Sequence, residues 1–360
     1  MKKIQKLLTK RKASSKPAPS RITNETVAEH RERILAGGKR FKYPIQYTKH
    51  KLVVNAVLIG LTVLITFVVF SWWQLYKVQT TDEFFYRLTR ALPLPAAKVD
   101  GEDVKYGDYL LNYKISETYL NTVERADQNK YADGASSKSI YDFYKAQAMN
   151  NAVADAYARK IANEQHISIS DQQVDQAIKN LLQTTSSKTV ISQQEYDRAN
   201  ERLYGLSVSE NRYYLRQRLL RQEVSYKIDT VARTAADRIG QELQQKPDMS
   251  FDELAKLVPE VKPQVMNSGI VAKENKDGGL AAAAAKLKVG QASGLIRPLS
   301  GDGYYFVRLL ETNKDGEINY QSIKIPLSEF KSRVQKLHDQ HKITYYISVP
   351  ESKPQVKTTK

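Results

Sequence analysis

The longest uniform pattern along the chain is an apolar run. Leu52–Trp73 reads LVVNAVLIGLTVLITFVVFSWW, and no charged residue occurs between Lys51 and Lys77. At about 1.5 Å per residue the run spans roughly 33 Å as a helix, enough for a hydrocarbon core of about 30 Å. Asn55, Thr62 and Thr66 are isolated polar residues that can bond within such a helix, and Trp72, Trp73 and Tyr76 gather at one end, where amphipathic rings favour a membrane interface. The pattern predicts one transmembrane helix over 52–73.

Beyond it, residues 74–97 read as a linker ending in ALPLPAA, whose prolines forbid a continuous helix. Lys98–Asp108 predicts a short strand, a turn at Asp100–Gly101 and a helix start. Helical spacing follows: Tyr106, Leu110 and Tyr113 share a face with Tyr109, and Ile140, Phe143, Tyr144, Val153, Tyr157 and Ile161 fit the next long segment. Ser170, Ser192 and Ser207, each followed three residues later by Gln or Glu, mark capping boxes, and Gly205 predicts a C-cap between two helices. Helices are expected at Thr234–Gln245 and, from a cap at Ser250, through FDELAKLV to Pro259. GDGYYFVRLLE at Gly301–Glu311 reads as a strand, as does Glu317–Pro326, followed by a helix at Ser328–His338 and a strand at Ile343–Val349.

Charge orients the membrane helix. Residues 1–51 hold 15 Lys/Arg against Glu25, Glu29 and Glu32, a net of +12 out of the +17 of the whole 360-residue chain. The positive-inside rule therefore predicts a cytoplasmic N-terminus, one uncleaved span and C-terminal regions outside the cytoplasm. The arm 1–51 is Lys-, Arg-, Ser- and Pro-rich and is expected to be largely disordered, with anionic lipid as a partner; no signature of a nucleic-acid-binding fold accompanies its charge. The tail 351–360 is also expected to be disordered. The absence of cysteine excludes disulfides, thiolate metal sites and thiol nucleophiles. His338 and His341 are three apart but lack accompanying carboxylates, so no metal or cofactor is expected.

Residues 98–230 resemble the N-terminal chaperone domain of the SurA family. That domain begins with a V-N-G-x-x-I-t element, here VDGEDVKYGD; continues through a long helix into G-I-x-V-S-D-e-e-V, here HISISDQQVDQAI at His166–Ile178; and closes with a helix matched by GLSVSENRYYLRQRLLRQ at Gly205–Gln222. The resemblance implies a cleft that holds unfolded or exported polypeptide, with Tyr106, Tyr109 and Tyr113 as candidate substrate-binding residues.

Residues 231–350 resemble a parvulin-type peptidyl-prolyl isomerase domain. Phe251–Lys256 matches its F-x-e-L-A-k, LKVGQAS at Leu287–Ser293 its L-k-x-G-e-i-S, and Gly303–Leu310 its final G-y-H-i-i-k-l. Gly269 falls on the glycine of d-L-G without gaps. The resemblance implies a pocket for the proline ring near Ile270, Val271 and Leu280. Tyr305 stands where the family has a histidine, and Lys276 where it has the pocket methionine. The family's first strand is missing before Thr234; if Glu317–Pro326 replaces it, Ser322 occupies the place of the other histidine. Tyr305 and Ser322 are thus the candidate catalytic residues of an altered site.

The expected fold is mostly α with a C-terminal α+β domain: basic arm, transmembrane helix, SurA-like helical domain at 98–230 and degenerate parvulin-like domain at 231–350. The expected function is that of a membrane-anchored extracytoplasmic chaperone or foldase with isomerase activity weak or lost. The alternatives are a working isomerase with a rebuilt site and a membrane-tethered envelope scaffold.

Overall fold

The computed structural model describes residues 23–42, 44–124, 137–184, 191–298 and 300–350, and divides into two units, Met1–Trp73 and Gln74–Lys360. The first contains α1 (Asn24–Lys42) and α2 (Pro44–Trp73). The apolar side chains of α2 are largely exposed, Leu52 by 81% and Ile59 by 65%, and the Thr62 hydroxyl donates to the Leu58 carbonyl at 2.9 Å. Among the described residues, Lys51–Val78 is the one helical stretch long and apolar enough to cross a membrane. The disorder expected over 1–51 gives way to helix from Asn24 onward, where NETVAEHRERIL favours it over Pro and Ser. Residues 1–22 and 351–360, for which disorder is also expected, lie outside the described residues.

The second unit opens with a π-helical turn, Gln74–Val78, then α3 (Glu83–Ala91) and β1 (Pro95–Val99). Residues 74–97, which the prolines mark as a linker, are instead built into a core. Leu75, Phe85 and Tyr86 are buried, the Leu75 carbonyl accepts from the Tyr106 hydroxyl at 2.6 Å, and that of Pro95 accepts from Tyr76 at 2.8 Å. The prolines do end α3, but PAAKV then pairs as a strand. β1 turns at Asp100–Gly101, both with positive φ, into β2 (Glu102–Lys105). Such a turn matches the twist of a tight hairpin.

Helices α4 (Tyr106–Tyr119), α5 (Ser137–Glu164), α6 (Asp171–Thr184), α7 (Gln193–Tyr204) and α8 (Val208–Ile228) follow. The capping boxes at Ser192–Glu195 and Ser207–Glu210 are reciprocal, and Ser170 and Gln173 exchange the same pair of bonds. Gly205 stops α7 at φ +67, a left-handed conformation that costs other residues energy.

Next come α9 (Thr230–Gln245), α10 (Phe251–Leu257), β3 (Gln264–Val271), α11 (Leu280–Ala284), β4 (Gly303–Thr312) and β5 (Ile318–Pro326), then α12 (Glu329–Asp339) and β6 (Ile343–Tyr345). β5 lies at the centre of an antiparallel sheet ordered β3-β5-β4. Successive residues of β4 alternate faces: Tyr304 and Phe306 pack with α9 and α10, while Tyr305, Val307 and Leu309 pack with α11.

The last two elements return to the first core. β6 pairs with β1 in a sheet ordered β2-β1-β6, and Phe330, Leu337 and Ile347 are buried with Tyr106, Met149 and Val153. The segment after Pro326, grouped by sequence with 231–350, thus shares its core with the helices before Asp229. Asp229 sits at this crossing, buried. Its carboxylate accepts from Ala232 N at 3.0 Å, capping α9, and from Ser328 N and Glu329 N at 2.7 and 3.0 Å, where the chain re-enters. One side chain thereby ties the exit of α8 to the start of α12.

Candidate functional site

α8 runs along the middle of the second unit, and a groove follows it. One part, of about 1020 Å³, lies between α5, α8, α12 and β6, with Val153, Phe330, Val334, Tyr345 and Val349 among its walls. A second part, of about 480 Å³, lies between α6, α8 and the loop before β4, with Leu215, Leu219 and Tyr226 facing Pro298 and Leu327. Arg221, Phe330 and Lys331 border both parts, so the two are neighbours along one face. Its aliphatic and aromatic side chains are set among polar ones such as Asn150, Gln335 and Gln222, a mixed lining that suits extended segments with both apolar and polar positions.

α12 contributes Phe330, Val334 and Leu337 at helical spacing; Phe330 and Leu337 reach the core, Phe330 lying 5.9 Å from the Tyr157 ring, while Val334 stays at the rim. α6 has its own small cluster with α8, made of Val174, Ile178 and Leu215.

Beneath the groove lies a buried ionic network. Asp108 on α4 accepts from the Tyr213 hydroxyl at 2.7 Å and from Arg159 at 2.9 Å, with Arg90 at 3.4 Å. Asp155, one turn before Arg159 on α5, is 5% exposed and faces Arg221 at 3.2 Å. That contact lacks hydrogen-bonding geometry, and among the described residues Oδ1 of Asp155 has no hydrogen-bond partner. Burial pushes the Asp155 carboxyl up to about 6 against the opposing pull of Arg221, with the Asp108 charge adding to the rise. The carboxylate is thus poorly compensated directly under a groove-lining arginine.

The residues expected to carry chemistry lie elsewhere. Tyr305 and Ser322 do share one face of the sheet, on β4 and the central β5, but both are buried, at 6% and 3% exposure. The Tyr305 hydroxyl is 3.2 Å from Asp302, to which Lys324 also donates. Burial would raise the Asp302 carboxyl, but hydrogen bonds from Lys324 and Ser300 and the lysine charge hold it below its ordinary value. Burial and the Asp302 charge raise the Tyr305 phenol. Leu280, with Ala281 and Ala284, packs onto Tyr305 and closes the space. Ile270 is 60% exposed on the edge strand β3, Val271 is half-buried beside the α11 cluster, and Lys276 is exposed. Among the described residues, the expected pocket residues are thus spread between the α11 cluster and the exposed edge of β3.

Tyr106, Tyr109 and Tyr113, expected to contact substrate, are buried at 3% exposure or less, in the core shared by α4, α5 and β1. Their helical spacing marks the inward face of α4, and the same pattern serves a core and a binding surface alike. Sequence reasoning missed Phe330, Lys331, Arg221 and Asp155. The spacing of Phe330, Val334 and Leu337 was a usable signal, but nothing local says that α12 leaves the sheet beside it. His338 borders the groove, and among the described residues no group of three metal-ligating side chains forms.

Residues 46–225 match the model of the family described as SurA-like N-terminal domain, a range that takes in the apolar helix, the segment 74–97 and α3 to α8. Neither a curated protein nor a solved structure matches the chain.

Proposed function

Because the chain belongs to the SurA-like N-terminal domain family, we propose that it is a membrane-anchored chaperone that holds unfolded exported polypeptides along α8. The observation that carries this reading is the groove of about 1020 Å³ framed by α5, α8 and α12, beside the family's own helices. The +12 charge of residues 1–51 favours a cytoplasmic N-terminus, with everything after the apolar helix outside. Domains in this reading are the arm, the anchor over 52–73, the helical body completed by α12 and β6, and a parvulin-like insert from α9 to β5.

Isomerase activity is weak or absent in this reading. Catalysis of X-Pro rotation needs an open site that favours the twisted amide over the planar one. The packing of Leu280 against Tyr305 and the engagement of Tyr305 by Asp302 speak against such a site.

The test uses the full chain in nanodiscs. It should slow aggregation of an unfolded model protein, and Val334→Gln, which makes the groove rim polar, should weaken that effect while Tyr305→Phe leaves it intact. In a proline-limited refolding assay the wild type should add little to an uncatalysed exchange that takes tens to hundreds of seconds. Strong acceleration abolished by Tyr305→Phe would establish an enzyme instead.

A further inference from the structure

We infer that the groove selects segments in which apolar side chains alternate with carboxylates, so that acidic stretches of unfolded chain are its preferred ligands. The inference rests on the chaperone reading above and specifies its substrate class. It starts from the ionic state of the residues lining the groove. Among the described residues its two carboxylates are already engaged: Glu223 by Arg297 at 3.6 Å and Asp302 by Lys324. Arg221 faces Asp155. Arg218 and Lys331, both exposed, have no carboxylate within ion-pair distance among the described residues, although Arg218 lies over the Tyr214 ring at 5.8 Å and its charge still acts on Asp155. They border the same part of the groove as Leu215, Leu219 and Phe330.

Two exposed cations beside apolar side chains leave a charge pattern that an occupant must complement. An occupant offering only apolar groups leaves the cations to water. One carrying carboxylates at the positions between its apolar side chains gains attraction without extra desolvation of a buried charge. The two terminal segments of this chain are poor candidates. The tail 351–360 carries three lysines against Glu351, and the arm is strongly basic. Like charges would meet if either entered, so the fitting occupant is an acidic-apolar segment of another polypeptide.

The experiment measures fluorescence anisotropy of three labelled peptides with the full chain in phosphatidylcholine nanodiscs. The peptides share one Leu/Phe pattern and differ only in carrying Glu, Ser or Lys at the intervening positions. The Glu peptide should bind about tenfold tighter than the Lys peptide at low salt, the gap narrowing as salt rises. Arg218→Glu with Lys331→Glu should reverse that order; Arg218→Gln with Lys331→Gln should erase it. Both sites are exposed, and near-ultraviolet circular dichroism checks the fold of each variant. Equal binding of all three peptides would overturn the charge selection and leave the chaperone reading standing. A Glu preference that survives the reversal would also overturn it, because the selecting charges would lie outside the groove. Failure of every peptide to bind would overturn the chaperone reading itself.

Discussion

Asp155 gives the most quantitative handle on the buried network under the groove. Its carboxyl is raised from an ordinary 3.8 to about 6, chiefly by burial. At 1.36 kcal/mol per pKa unit the rise corresponds to roughly 3 kcal/mol of differential stability. The sign follows from proton counting. Between pH 3.8 and about 6 the folded chain keeps a proton on Asp155 that the unfolded chain has lost, so stability falls as pH rises. The contribution is fully present below 3.8 and gone above about 6. Asp155→Asn cannot ionise, and it leaves Arg159 and Arg221 without that carboxylate at every pH. Their loss of a partner therefore adds only a constant offset. Urea unfolding of the full chain in detergent, followed by near-ultraviolet circular dichroism from its buried tyrosines, should be run from pH 3.5 to 7.5 for both proteins. Relative to the variant, the wild type should lose roughly 3 kcal/mol across that range, most of it between pH 4 and pH 6. A difference that stays flat to within about 1 kcal/mol would refute the claim that Asp155 is a poorly compensated buried charge.

Two further substitutions test the scaffold. Asp229→Ala leaves three backbone donors at the α8–α12 crossing without their carboxylate, two of them part-buried, and should cost about 3–5 kcal/mol in the same unfolding assay; a loss under about 1 kcal/mol would mean the crossing is held by other contacts. Gly205→Ala combines φ +67 with a new Cβ only 2.8 Å from the Thr118 hydroxyl, and a loss of about 1–2 kcal/mol is expected; a neutral result would show that the turn relaxes freely.

What was legible in the sequence was what depends on neighbours a few residues away. The charge-free run from Leu52 forms a helix long and apolar enough to cross a membrane, and the capping Ser192, Ser207 and Ser250, the left-handed Gly205 and the hairpin turn at Asp100–Gly101 stand as read; all are local patterns. The family, too, was carried by ordered local motifs. Tertiary structure decided what those patterns were for. Tyr106, Tyr109 and Tyr113 form one helical face whether it meets a core or a ligand, and only the packing of α5 and β1 against α4 makes it a core. PLPAAKV reads as a linker until β2 and β6 supply partners for its backbone. The groove is the least local feature. It needs Arg218 and Arg221 from α8 to stand beside Phe330 and Lys331, more than a hundred positions later, and that meeting follows from the return of the chain at Asp229 rather than from any motif. Local hydrogen bonding and periodicity fix elements; which faces of those elements remain uncovered is settled only when the whole chain has packed.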